Sequence, residues 1–500
     1  SAMSFVLGYL YTSILDELLV EDLYYADCAR LTCSASIARG ALLLTAHGYS
    51  HKIRHLLGIM LSKMKGMAEG GVCSQTLFDR VKDEQLRNLK NKGTFANPHQ
   101  QAMTGTAICM YDAMFHSLEK HAALQTCTLA HFDAFCAALL QEPAENSSGL
   151  GAGVHAECFF IGNITEKEAL SLLHDNIMPT LKFTPLSAAD HAKPHARIVT
   201  LSRRTEYIFC QHSGDFNADE PNSAIQNIYM LDDDAAFAPL AARAGLPADD
   251  KHSIIMVAET FVTLLAHIMH EAAFNQLRTI EQLGYIVHVG QGNFEHNNYL
   301  RVIVQSSVMD AGGLDERVEI FLRTWYRDFV CADDEDYSDL PADAGATEME
   351  NDAAGDPTDI KKGPKLQADG VYDSYVKSLC EKLLESEHSL AEEANNKWAQ
   401  IDSCRYAFDR QHLMVPVLEQ LTFPVFKELF NNFIRKTDDA AGYGGARRKL
   451  SSQFYGKGTH FPPRVASGTC KKGDTAVVYI DNPAFFKATH PLEPTVFMRK

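Results

Sequence analysis

The stretch Glu271-Ala272-Ala273-Phe274-Asn275-Gln276-Leu277-Arg278-Thr279-Ile280-Glu281-Gln282-Leu283-Gly284-Tyr285 is the most informative in the chain. With Leu264, Leu265 and Ile268 upstream, Ala272, Leu277 and Ile280 continue a helical apolar pattern. Gly284 suits the left-handed residue that ends a helix, and Tyr285 opens a run of alternating character. Arg278 lies about two turns before that end, so it and Tyr285 are expected to project to one side. The first offers a permanent cation with a planar donor fork, the second a phenol donor on a stiff strand. Such donors suit carbonyl chemistry. A peptide carbonyl becomes an oxyanion as water attacks it, and losing one preorganised donor to that oxygen costs about 3–4 kcal/mol at the barrier. The same residues also fit a plainer reading, an arginine bonded to helix-end carbonyls and a tyrosine packed in a sheet.

Around this stretch the pattern predicts a strand at Ile225–Leu231 and a helix over Ser253–Leu283. Strands follow at Tyr285–Val289 and Leu300–Ser306, then a helix over Leu314–Phe329. The first half repeats the order: helix Phe5–Cys28, hairpin strands Thr32–Ala38 and Ala41–Ala46, and helix Lys52–Met64. Helices near Leu77–Lys90, Gln101–Leu118 and Phe132–Leu140 lead to a strand at Glu157–Ile161. Tyr372–Lys377 echoes Phe78–Lys82, and Leu421–Phe430 echoes Leu129–Leu139. The expected fold is therefore α+β, with two duplicated domains at 1–213 and 214–500, each a mostly antiparallel sheet packed with helices. The first domain begins almost at its helix. It is expected to be truncated, lacking N-terminal strands and leaving a sheet edge open.

Residues 332–370 break the repeat. Between 333 and 369 there are 12 acidic residues and 3 lysines, half of the chain's net charge of -18. Such a segment buries too little apolar surface to offset its ordering entropy and is expected to be a disordered insertion. The loop Pro143–Gly153 is expected to be flexible as well. The acidic balance argues against a nucleic-acid partner, which requires a basic footprint. No run reaches about 18 consecutive apolar residues, so no membrane partner is expected. The 12 cysteines form no framework and read as reduced thiols in a cytoplasmic setting.

The segment FNQLRTIEQLGY, residues 274–285, closely resembles the Phe, Arg and Tyr segment in the C-terminal half of the insulinase (pitrilysin-like) family of zinc endopeptidases. The likeness is closest to the insulin-degrading branch. Further motifs resemble that half in order: Ala41–Tyr49, Asn97–Met103, Phe160–Thr165, Tyr406–Arg410 and Phe485–Lys487. The resemblance covers nearly the whole chain apart from 332–370 and the loops. It implies a half-clamshell that closes on an N-terminal half of the same polypeptide around peptide substrates. That other half would hold zinc through H-x-x-E-H and a later Glu, with no cofactor bound by this chain. Arg278 would hold the substrate backbone, Tyr285 would stabilise the oxyanion, and Phe274 would line an apolar side-chain pocket. A homodimer is a further family-level expectation. One departure is Glu385-Ser386-Glu387-His388-Ser389, where the insulin-degrading branch is rich in lysine, which puts polyanion activation in doubt. The alternative is a non-catalytic scaffold or substrate-binding homologue of the same family.

No H-x-x-E-H occurs here. His267-Ile268-Met269-His270-Glu271 has its last two residues swapped, and His116–His121 carries one residue too many to share a helical face. The histidines His47, His51 and His55 are four apart, but His47 falls in a turn. Gly149–Gly153 lacks the spacing of a dinucleotide fingerprint. Arg447, Arg448 and Lys449 are expected to form a solvated strand start.

Overall fold

The computed structural model describes residues 1–38, 41–140, 156–181, 197–231, 234–331, 365–403, 405–435, 445–459, 469–472 and 475–494. The loop Pro143–Gly153 and nearly all of 332–370 therefore lie outside the described residues. The chain forms two compact units. One comprises 1–95, 115–194 and 387–399; the other comprises 96–114, 195–386 and 400–500. The division expected at 213/214 differs because the strand at Thr205–His212 is integral to the second unit's sheet, as is the helix Pro98–Met110 to its packing.

In the first unit, helix Ala2–Cys28 precedes a hairpin of β1 (Thr32–Ala38) and β2 (Ala41–His47), paired from Thr32↔His47 to Ala38↔Ala41. Helices Ser50–Glu69, Gln75–Phe95, Ser117–Gln125 and Leu129–Leu139 follow. Leu10, Ile14 and Leu15 recur at helical spacing and are buried with Met60, Met64, Phe78 and Phe132. Each such side chain contributes about 1.5–3 kcal/mol. Gly48 has φ +144°, and a Cβ there would collide with Leu31, so the His-Gly-Tyr turn after β2 requires glycine. The expected helix Gln101–Leu118 is two helices, interrupted after Met110. The strand expected at Glu157–Ile161 does not form: Phe160 packs on the core from irregular chain, and Thr165 caps the helix that follows.

The second unit is built on seven strands. In chain order these are β4 (Thr205–His212), β5 (Ser223–Met230), β6 (Ile286–Phe294), β7 (Asn297–Ser306), β8 (Arg448–Tyr455), β9 (Thr469–Lys472) and β10 (Thr475–Tyr479). β3 (Arg197–Val199) pairs separately with β11 (Leu492–Pro494). The spatial order is β6-β7-β5-β8-β4-β10-β9, with β4 parallel to both neighbours and every other adjacent pair antiparallel. All eight residues of β5 are buried. Its side chains alternate as strand geometry requires. Ile225 and Tyr229 pack with Val257, Phe261 and Leu265 of helix Lys251–Ala273 and with Leu314 and Val318 of helix Ala311–Trp325. Ile228 and Met230 pack with Cys109, Met110 and Phe486. The sheet is thus covered on both faces.

Helices Ala2–Cys28 and Lys251–Ile280 are both long and apolar enough to cross a membrane by length and composition, although neither is an unbroken apolar run. Of the second helix's apolar window, 78% is buried inside the protein, as befits a core helix. Arg447, Arg448 and Lys449 are not solvated: all three are buried on β8 or at its start. Arg447 pairs with Glu319 at 2.7 Å, and Lys449 lies 2.7 Å from both Asp315 and Glu319. The acids on helix Ala311–Trp325 offset the desolvation of these cations.

Candidate active-site pair

Asp250 caps helix Lys251–Ala273, accepting from the Ser253 amide at 3.2 Å. The helix is pinned near its middle by an ion triad centred on the buried Glu259. Arg405 donates to Glu259 at 2.8 Å, and Arg410 engages both oxygens of the same carboxylate. Arg410 closes the Tyr406–Arg410 motif, so that motif has a structural partner in the core.

At Phe274 the helix widens into a π turn, Phe274–Ile280. The Glu281 amide donates to the Gln276 carbonyl at 2.9 Å, and the Leu283 amide reaches the Leu277 carbonyl at 3.0 Å. π turns inside α-helices frequently mark functional sites. The left-handed residue at this helix end is Gln282, with φ +51°, rather than Gly284. Gly284 is required for space: a Cβ there would fall well inside van der Waals contact of the Gln305 carbonyl on β7. The strand predicted from Tyr285 begins one residue later, as β6.

The geometry brings together the three residues singled out from sequence. The Arg278 guanidinium carbon lies 4.6 Å from the Phe274 ring centroid and 4.4 Å from that of Tyr285. The cation is held between two aromatic faces, an arrangement worth about 0.5–2 kcal/mol per ring. Tyr285 is 81% exposed and Phe274 38%, and Arg278 is half-buried. Among the described residues, neither the Arg278 guanidinium nor the Tyr285 hydroxyl makes a hydrogen bond or ion pair. This differs from the plainer reading of the pair, in which the guanidinium binds helix-end carbonyls and the ring is buried.

Sequence reasoning missed what holds the turn. Glu281 accepts from Gln276 Nε2 at 2.8 Å and from Arg317 Nε at 2.8 Å. Glu281 was within the quoted stretch, but Arg317 lies 36 residues on, with no local signal linking the two. The other motifs act at a distance from the pair. His99 donates its backbone N–H to Gln305 Oε1 at 3.2 Å, and its ring Nδ1 lies 2.8 Å from the same oxygen. Lys487 donates to the carbonyls of Tyr111 and Asp112 beyond helix Pro98–Met110.

Among the described residues no group of three His, Cys, Asp or Glu side chains is arranged to hold a metal. His270 turns its Nδ1 to the Val289 carbonyl at 3.2 Å, while His267 stacks edge-on against Tyr375. His116 caps a helix, its Nδ1 accepting from the Leu118 amide at 3.2 Å.

Residues 1–123 match the model of the middle or third domain of peptidase M16. Residues 264–353 match that of the C-terminal lobe domain 4 of PQQ synthase PqqF-like proteins. The chain is 26% identical to insulin-degrading enzyme-like 1, peroxisomal, of Arabidopsis thaliana over 90% of its own length and 39% of that protein. It is 25% identical to the insulin-degrading enzyme of Homo sapiens over 83% of its length and 34% of that protein. It thus spans little more than a third of these relatives. Among solved structures, pitrilysin superposes with a TM-score of 0.69 at 17% identity, covering 99% of this chain and 42% of that one. An inactive domain of a peptidase M16 from Pseudomonas fluorescens superposes with a TM-score of 0.50 at 12% identity, covering 87% of this chain and 84% of that one.

Proposed function

The chain is an insulinase-family protein resembling insulin-degrading enzyme, and from that premise we propose that it is the C-terminal half of a zinc-dependent endopeptidase that degrades peptides in an enclosed chamber. One observation carries this reading: Arg278 and Tyr285 stand stacked together with their hydrogen-bond donors uncommitted among the described residues. In this reading the guanidinium fork donates to substrate backbone carbonyls beside the scissile bond. The Tyr285 hydroxyl donates to the oxygen on which negative charge develops. It stabilises that state more than the ground state and so raises the rate. The partly exposed face of Phe274 offers an apolar wall for a substrate side chain.

Among the described residues no cluster of His, Cys, Asp or Glu side chains fits a metal ion. Zinc and the general base are assigned to the other half of the polypeptide. A cytoplasmic location belongs to the same reading, on cysteines scattered without a disulfide framework. A scaffold homologue could share this fold, as the inactive Pseudomonas domain does. Such a protein has no use for an uncommitted Arg–Tyr donor pair.

The test is turnover of a fluorogenic peptide by this chain alone, and by this chain combined with its N-terminal half. The expected result is no turnover alone and zinc-dependent turnover in combination. Efficient zinc-dependent cleavage by the isolated chain would overturn the reading.

A further inference from the structure

We propose that Glu281 is a positioning residue that sets the place of the Arg278 guanidinium, an inference that rests on the reading of Arg278 as the substrate-binding cation. Arg278 forms no hydrogen bond or ion pair with a described residue; its contacts are two ring faces. A ring face restrains the height of a cation but lets it slide in plane, because the attraction is broad rather than directional. The guanidinium's lateral position therefore depends on the backbone of the π turn that carries it.

Glu281 closes that turn twice. Its amide bonds to the Gln276 carbonyl at 2.9 Å, and its carboxylate Oε1 accepts from the Gln276 side chain at 2.8 Å. The two residues bracket Arg278 in sequence. The second oxygen accepts from Arg317 Nε at 2.8 Å, in an ion pair whose side chains are 21% and 7% exposed. Arg317 stands on helix Ala311–Trp325, whose Leu314 and Val318 are fully buried against the sheet. The clamp thus ties a non-standard helical turn to a helix buried against the sheet. A misplacement of about 1 Å at a reacting group can cost about 100-fold in rate.

The experiment measures kcat/KM on a fluorogenic peptide in the full-length polypeptide for Arg278→Ala, Glu281→Gln and the double variant. Glu281→Gln is expected to lower kcat/KM by about 10–100-fold. In the Arg278→Ala background it should change kcat/KM by less than about 2-fold, because a group acting through Arg278 has nothing left to position. A merely structural residue would multiply its effect onto Arg278→Ala, and that result overturns the proposal. Full activity of Glu281→Gln beside a crippled Arg278→Ala also overturns it, while leaving the reading of Arg278 intact. Full activity of Arg278→Ala removes that reading and this inference with it. Should Glu281→Gln not fold, Arg317→Lys, which keeps the charge but loses the Nε donor, carries the same comparison.

Discussion

Gly284 lies with its bare Cα against the carbonyl oxygen of Gln305, leaving no room for a Cβ. The Gln305 side chain is in turn fixed by the amide and ring of His99. The carbonyl belongs to a paired strand, where Ile286 faces Gln305 in register, so it cannot retreat. Gly284→Ala is expected to destabilise the chain by about 1–3 kcal/mol, the usual cost of overpacking. An unchanged urea midpoint and slope would contradict this.

Tyr285→Phe removes one hydroxyl from an exposed ring without disturbing the stack on Arg278. Under the proposed role it lowers kcat/KM by about 100–1,000-fold, with thermal stability of the chain unaltered. Arg278→Lys keeps the charge but loses the planar fork that lies between Phe274 and Tyr285. It is expected to recover little of the loss seen in Arg278→Ala. Wild-type turnover in both Tyr285→Phe and Arg278→Ala would show that the roles are wrongly assigned.

Glu259 carries the ion triad of the core helix, with its side chain 3% exposed. Glu259→Ala leaves Arg405 and Arg410 without their shared carboxylate. It should cost about 3–5 kcal/mol, the penalty for stranding a buried charge. Chemical denaturation of the variant reads this directly, and a loss under about 1 kcal/mol would mean that the two arginines find other partners.

Long-range pairing separates what was legible in the sequence from what was not. Helix Lys251–Ala273 and strands β5 to β7 announce themselves through periods set by local geometry. The proximity of Arg278 and Tyr285 followed from their spacing across a helix end. The widening of that helix into a π turn did not, and neither did the contact of Glu281 beside it with Arg317 on another helix, which nothing local in the sequence announces. The same limit explains β8. Arg447 and Lys449 read as surface residues in isolation, since nothing nearby in sequence marks Asp315 and Glu319 as their counter-charges. Gly284 reads from sequence as a helix-ending glycine, whereas the left-handed residue is Gln282 and Gly284 is required by its approach to the Gln305 carbonyl. A helix-ending glycine and a glycine crowded by a neighbouring strand look identical in one dimension.

Three histidines make stability depend on mildly acid pH. Burial holds His116, His267 and His288 below the ordinary histidine pKa of 6.5. His288 also faces Arg301 and His270; His267 faces Lys382, Glu271 and His270; His116 lies by Glu119 and Lys120. Two of them use a neutral ring nitrogen as an acceptor. His288 Nε2 takes Arg301 Nη2 at 3.3 Å, and His116 Nδ1 takes the Leu118 amide. A group whose folded pKa is depressed binds its proton first in the unfolded chain. Its contribution to stability is therefore complete above about pH 6.5 and is lost as the pH falls from there toward the folded pKa. The melting temperature should fall steadily from pH 7 to pH 5, a range above the ordinary titration of carboxylates. His288→Gln, which keeps an acceptor near Arg301 but cannot titrate, should flatten part of that slope. An identical slope in His288→Gln, His116→Asn and the parent would exclude these rings as its source.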